Sequence, residues 1–381
     1  MIQPVAHSVR SKPLALLAIV AFLAAPAAAQ AVKKCYDCKG TGLIACPAKE
    51  CKQEKVCGIK IPHKCDAIYA AECCRGTQKI LCPKCKDPIV ETELNAELEA
   101  RKAWVDAMRK VDKGAQTRFA HVETDHWIFH CSLPAWKVGE TTYTRVKAAH
   151  LWADRLEENA AFVMKYLGQY PAQKQTGNLV ATADEAMRTT LTVQGIGHTQ
   201  PYKTFSLTGA FTTRPHEEFI TDELLHPHFV HTATHVQLHA TYAAPLNFSP
   251  WFHEAFAHWV EIERFKTQRT FCYQEVSNAK DPWRLADWKK QIFGEVSARR
   301  DEPLAAIMTR DTDKLSARDK AHAWSFLEFL IRTRPKDFRK FFETLKDTEK
   351  DTKKAMQTAY GWSTAAFQEK WREYVLKTYA P

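Results

Sequence analysis

Apolar residues recur with helical spacing from Glu91 to Lys113, where Leu94, Leu98, Val105 and Met108 sit among charged neighbours. The pattern predicts one long connecting helix. A second amphipathic stretch, Lys147 to Leu167, stops at Gly168 and Pro171, residues that end helices through a left-handed cap and a missing N–H. Shorter segments carry strand character: Thr124 to Ser132 (TDHWIFHCS), Asn178 to Ala183 and Tyr202 to Phe211. From Pro227 onward the periodicity is helical almost to the end, and Lys336 to Lys354 alternates with acids as a solvated helix face does. A modest sheet followed by many helices is an α+β arrangement.

The apolar run Leu14 to Ala25 has a different character. It follows Arg10 and Lys12, is twelve residues long, and leads into Ala27-Ala28-Ala29. That layout predicts a cleavable signal peptide over residues 1–30 and a secreted or periplasmic protein. No later stretch is apolar over the length of a membrane span, so no transmembrane segment is expected after cleavage. With 45% hydrophobic residues, 11 Trp and 20 Phe, the chain can bury a large core, which excludes wholesale disorder. The net charge of +10 comes from dispersed Lys and Arg, which predicts no nucleic-acid partner. There is no G-x-S-x-G, no P-loop and no G-x-G-x-x-G, so serine-hydrolase and nucleotide-binding readings lack support.

Ten of the twelve cysteines fall between Cys35 and Cys85, in an imperfect repeat. One copy runs Cys35-x-x-Cys38-Lys-Gly-Thr to Cys46-Pro, the other Cys74-Arg-Gly-Thr to Cys82-Pro-x-Cys85. A glycine just after a C-x-x-C lets the backbone turn so that amides face the sulfurs. Cys35, Cys38, Cys82 and Cys85 are candidates for one tetrahedral zinc site. Cys46, Cys51, Cys73 and Cys74 are the pool for a second, with Cys57 and Cys65 left over or substituting. The segment resembles the DnaJ-type cysteine-rich zinc domain, matched in full only by Cys35-x-x-Cys38-x-Gly40-x-Gly42, and the resemblance implies a zinc-ribbon-like binding or structural module. An exported chain favours a disulfide framework instead. Residues 31–88 hold twelve Lys or Arg against six Asp or Glu, an excess that would offset the formal −2 of each Zn(Cys)4 centre. Both chemistries stay open. Outside the module, Cys131 and Cys272 are either a pair or ordinary thiols.

The densest chemistry lies at residues 227 to 261. Pro227 fits the first turn of a helix, on which His231, His235 and His239 share a face. Ser249 and Pro250 then open a second helix, Trp251 to about Phe265, with Glu254, His258 and Glu261 on one face. Two histidines one turn apart plus a carboxylate from a neighbouring helix suffice to ligate zinc. His235 with His239 is the rival pair, and His253 and His258 read as supporting or exposed residues.

His231-x-x-x-His235 followed by eighteen residues and Glu254 resembles the gluzincin metallopeptidases, the aminopeptidase N-like and exported bacterial peptidase clan, whose pattern is H-E-x-x-H-x18-E. Trp251-Phe-His-Glu254-Ala-Phe-Ala257, Glu261, Tyr360-Gly-Trp-Ser and Phe367-x-x-x-Trp371-Arg-Glu-Tyr374 resemble further segments of that clan. The resemblance implies a zincin-like domain over 117–381, after a cysteine-rich module at 31–90 and a linker helix at 91–116. It also implies zinc on His231, His235 and Glu254, Glu261 as a supporting acid, His322 as a weak candidate for transition-state contact, and a peptide or protein ligand. The family's catalytic Glu is Thr232 here. That Glu takes a proton from the attacking water, a task worth about 10²–10⁴-fold that a Thr hydroxyl cannot perform. The expectation is a degenerate metallopeptidase that binds peptide or polymer. The alternatives are an active enzyme using Glu261 or Glu223 as base, and a structural or interaction protein.

Overall fold

A computed structural model of the chain describes residues 35–48, 56–59, 61–85, 87–195, 209–216, 219–241, 249–270, 281–284, 286–311, 314–347 and 351–381. The expected signal peptide, Cys51, Cys272 and most of the strand expected at 202–211 lie outside them.

In the cysteine-rich segment β1 (Leu43–Ala45), β2 (Lys64–Cys65), α1 (Asp66–Tyr69) and β3 (Lys79–Leu81) precede the long helix α2 (Pro88–Ala115). β1 and β3 form a two-stranded antiparallel ribbon. Asp87 caps α2 by accepting from the amides of Ile89 and Val90, and Gln116 closes it in the left-handed region. The helix is three residues longer at its start and two at its end than the periodicity predicts, because Asp87-Pro88 supplies an N-cap and first-turn pair.

β4 (Ala120–Glu123), β5 (Trp127–Cys131), the hairpin β6 (Ala135–Val138)–β7 (Thr141–Thr144), α3 (Arg145–Leu167), β8 (Gln175–Leu179), α4 (Ala183–Gln194) and β9 (Ala210–Thr213) follow. One five-stranded mixed sheet results, in the order β2-β4-β5-β8-β9. β2 and β4 pair antiparallel through Lys64↔Glu123 and Cys65↔Val122, so the cysteine-rich segment supplies an edge strand to the body. β5, β8 and β9 run parallel. The strand expected at 178–183 sits three residues earlier. Thr182 instead caps α4 by accepting from the Glu185 amide.

The remaining elements are helical: α5 (Asp222–Thr241), α6 (Pro250–Phe265), α7 (Trp288–Ser297), α8 (Leu304–Ile307), α9 (Ala317–Thr333), α10 (Pro335–Asp347), α11 (Thr352–Tyr360) and α12 (Thr364–Thr378). The chain is therefore α+β, with small sheets and a cysteine-rich N-terminal region. One core joins the sheet (Trp127, Phe129, Phe211) to α3 and α5 through Trp152, Leu156, Phe229 and Val236. A second, aromatic core joins α6, α9, α10 and α12 through Trp251, Phe252, Phe256, Phe338, Phe341 and Trp371. In α10, Phe338, Phe341, Phe342 and Leu345 turn inward at helical spacing, which leaves its lysines outward as expected. No described helix is long and apolar enough to cross a membrane.

One expectation is corrected at α5. Pro227 does not open this helix but lies inside it, five residues after Asp222. Asp222 and Glu223 in the first turn complement the positive helix end, and Asp222 is fixed by a bidentate pair with Arg155 of α3 at 2.7 Å per contact and by Trp136 Nε1. Tertiary anchoring extends the helix past its proline and offsets the missing N–H.

Candidate metal centres

Helices α5 and α6 pack against each other and carry the histidine-rich site between them. α5 is buried on nearly every side, so its histidines lie in the interior: His231 is 0% exposed and His235 7%. The two Nε2 atoms face one another at 3.1 Å. Zinc–nitrogen bonds of about 2.0–2.1 Å at a tetrahedral angle would set two such nitrogens about 3.3 Å apart. From α6, Glu254 Oε1 lies 3.9 Å from His235 Nε2. The group on these helices whose ligand atoms all fall within 4.8 Å of one another is His231, Glu254 and His258, so His258, which spacing arguments rank too low, completes a trio that does not include His235. His253, too, is buried, stacked parallel on His235 with its Nδ1 2.7 Å from that of His235. His239 stands against His253, away from the paired Nε2 atoms.

Glu261 occupies the place of a supporting acid. Its Oε2 lies 3.1 Å from His231 Nδ1 and 3.4 Å from His258 Nδ1, while Oε1 accepts from Thr270 N and Oγ1. An acceptor on Nδ1 fixes the ring and directs the other nitrogen's lone pair inward. Burial keeps the site's imidazoles below the usual histidine range, His258 down to about 3, so they are neutral, as ligands must be. Burial also opposes charge on Glu254, but the Lys320 ammonium, 3.1 Å from Oε2, holds its carboxyl below the usual range. Lys320 comes from α9 and is 0% exposed. No sequence argument anticipates it. The donor set fits a divalent cation: neutral nitrogens, one carboxylate, and an outer acid behind a ring.

Thr232, next to His231 on α5, offers no base. Its Oγ1 donates back to the His228 carbonyl at 3.0 Å. His322 is buried elsewhere, with Nε2 3.1 Å from Glu295 and Nδ1 on the Arg318 carbonyl. Glu223 is exposed and lines a cavity of about 690 Å³ with His226, Phe265 and Arg269 at the start of α5.

In the cysteine-rich segment the repeat produces two equivalent turns. Thr41 Oγ1 donates to the Cys38 and Leu43 carbonyls, and Thr77 Oγ1 to those of Cys74 and Lys79. Gly40 and Gly76 take φ of 84° and 75°, with Lys39 and Arg75 also left-handed. Each turn then meets the Cys-Pro of the other copy: Cys82 N donates to Gly42 O, and Cys46 N to Gln78 O. The crossing brings Cys35, Cys38, Cys82 and Cys85 together, with Sγ–Sγ separations of 3.8 Å (Cys35–Cys82) and 3.2 Å (Cys38–Cys85). Zinc–sulfur bonds of about 2.3 Å would give tetrahedral edges of about 3.8 Å. The Cys38 thiol is drawn down to about 6, first by Cys85 and then, against desolvation, by the Gly42 and Gly40 amides. Cys46, Cys73 and Cys74 form a second group. Cys131 is a fully buried, unbridged thiol at the end of β5.

The chain therefore presents several residue groups that could hold a metal ion. No family model matches its sequence, and no curated protein matches it either.

Proposed function

We propose that the chain is an exported, gluzincin-like zinc protein in which His231, His235 and Glu254 hold one zinc ion and the cysteine-rich segment holds more through Cys35, Cys38, Cys82 and Cys85. The observation that carries this reading is the 3.1 Å approach of the His231 and His235 Nε2 atoms, with Glu261 behind His231 and Glu254 beside His235. Bound there, zinc supplies a Lewis acid for a peptide carbonyl. Among the described residues, the candidates for a proton carrier to go with it are placed elsewhere. The Thr232 hydroxyl is committed to the His228 carbonyl. Glu261 is held by Thr270 on the far side of His231, and Glu223 is eight residues before His231, about 12 Å along the helix at 1.5 Å per residue. On this reading the chain binds a peptide or polymer and does not cleave it efficiently.

The test is metal analysis of the full chain, since a truncation at residue 90 would remove strand β2 from the body's sheet. His231→Ala with His235→Ala should lose one equivalent of zinc relative to the parent while the cysteine-held metal stays. An unchanged zinc content would overturn the assignment, and brisk chelator-sensitive proteolysis by the native chain would overturn the degenerate reading.

A further inference from the structure

Between the cysteine-rich segment and the body lies a second mixed cluster that neither half of the proposed function uses. Cys57, His63 and Cys65 come from the segment leading into β2, and His150 from the second turn of α3. One ligand atom from each of the four falls within 4.8 Å of the others. Cys57, Cys65 and His150 are each 1% exposed. We propose that these four side chains form a closed Cys2His2 site for a divalent, thiophilic metal ion, of which zinc is the representative, and that this ion fastens the cysteine-rich segment to the body.

The geometry argues it from three directions. The Cys57 and Cys65 sulfurs stand 3.6 Å apart, near the roughly 3.8 Å edge of a tetrahedron built on 2.3 Å zinc–sulfur bonds. Both histidines tie Nδ1 to a backbone carbonyl at 2.7 Å, His63 to Ile61 and His150 to Val146. That bond places the proton on Nδ1 and leaves Nε2 as the electron-pair donor, the arrangement of a metal-bound imidazole held from behind. The His150 Nε2 is buried, makes no well-formed hydrogen bond to a nitrogen or oxygen of the described residues, and has the Cys65 thiol as its side-chain neighbour. A buried polar nitrogen left in that state is costly, and coordination resolves it. The two rings meet edge-on, 75° apart with centroids at 4.8 Å, as two ligands converging on one point do.

Charge selects the ion. Two thiolates and two neutral imidazoles around a dication sum to zero, and a neutral centre is the one that tolerates this setting, because Cys57 and Cys65 belong to the same core as Val122, Trp127 and Trp152. The Cys35, Cys38, Cys82 and Cys85 group would carry −2 and is only partly buried, with Lys84 nearby on Asp37. All four positions of the proposed site are filled by protein, so it is structural and leaves no place for a substrate. Its mechanical role follows from β2. That strand is two residues long, too short to hold a sheet edge alone, and the ion would clamp its Cys65 to helix α3 through His150.

The experiment uses the full chain purified under reducing conditions and reconstituted with zinc. His150→Ala should lose one equivalent of zinc and expose Cys57 and Cys65 to alkylation without chelator, as read by peptide mass spectrometry. His150→Cys, which restores a ligand, should keep both the metal and the protection. The loss should add to that of the His231→Ala, His235→Ala variant, which separates this site from the one on α5 and α6. If His150→Ala fails to fold, the parent alone decides: chelation should turn Cys57 and Cys65 from protected to reactive and speed proteolysis within residues 56–87. Parent thiols that alkylate freely with zinc present, or a Cys57–Cys65 disulfide in protein isolated without reductant, would overturn the proposal.

Discussion

Replacing Lys320 by Met tests whether Glu254 is shared between a lysine and a cation. The Lys320 ammonium lies 3.1 Å from Glu254 Oε2 and the two side chains are 0% and 5% exposed, so neither charge has water as a substitute partner. At an effective dielectric of about 20 the attraction at that distance is about 5 kcal/mol, and removing one member of a buried pair costs about 3–5 kcal/mol. Met keeps the length of the stem and removes the charge. In chelator, Lys320→Met should therefore lose about 3–5 kcal/mol of unfolding free energy in urea. With saturating zinc the loss should shrink, because Glu254 then has a second counter-charge on Oε1, the oxygen turned toward His235. A difference of about 3 kcal/mol between the two conditions corresponds to roughly hundredfold tighter zinc binding at 1.36 kcal/mol per decade, which competition with a chromogenic chelator can read. In the His231→Ala, His235→Ala background, zinc should no longer rescue. Equal destabilisation with and without zinc in the parent background would refute the shared-carboxylate argument. No destabilisation in either would refute the ion pair itself.

Three further outcomes follow. Thr232→Glu places a carboxylate one residue after His231, where the resembled family carries its base, and should raise peptide hydrolysis about a hundredfold over the native chain, about 2.7 kcal/mol of barrier; an active native chain that the substitution slows would contradict it. Arg155→Met removes both guanidinium contacts to buried Asp222 and should cost about 3–5 kcal/mol in denaturant, whereas a loss below about 1 kcal/mol would show that the start of α5 is held by other contacts. His130, fully buried, is held down to about 3 by burial and then by repulsion from His121, with Asp112 opposing. The unfolded chain takes up that proton from about pH 6.5 downward and the folded chain does not, so stability is full above pH 6.5 and falls by about 1.4 kcal/mol per unit toward pH 3. His130→Gln should flatten the acid limb of a stability–pH curve by that slope, and an unchanged slope would show that His130 is protonated in the folded chain.

How far the chain can be read without its fold depends on which distances local geometry sets. Helices α2 and α3 are legible to within three residues at each end, because stop signals such as Gly168 (φ 80°) act through the backbone alone. The start of α5 is not legible. Pro227 marks a local rule for beginning a helix, whereas Arg155 and Trp136, which hold Asp222 a turn and a half earlier, are distant in sequence. The same division runs through the candidate ligands. His231 with His235, and Cys35 with Cys38, are spaced by a helical turn or a tight loop, so sequence alone pairs them. The crossing of the cysteine repeat is legible too: the pairs Cys35/Cys38 and Cys82/Cys85 are grouped from sequence, and the β1–β3 register is what brings them together.

His63, His150 and Lys320 belong to the other class. A single histidine on an amphipathic helix, or a lysine in a helix with charged neighbours, has the pattern of a solvated residue until packing buries it. Burial reverses its meaning, because a polar atom without water must have a partner. For His150 the partner on one side is its own helix, through the Val146 carbonyl, and on the other the Cys65 neighbourhood brought in by a two-residue strand. Thr232 shows the converse. Its identity alone announces the missing carboxylate, but its hydroxyl could have been turned toward the paired imidazoles to orient a water. The fold turns it onto the His228 carbonyl one turn back, a bond that threonine makes readily inside helices. The position therefore lacks the base's charge and also commits its hydroxyl to the backbone, so recovering hydrolysis calls for a longer side chain as well as a charged one, and Glu supplies both.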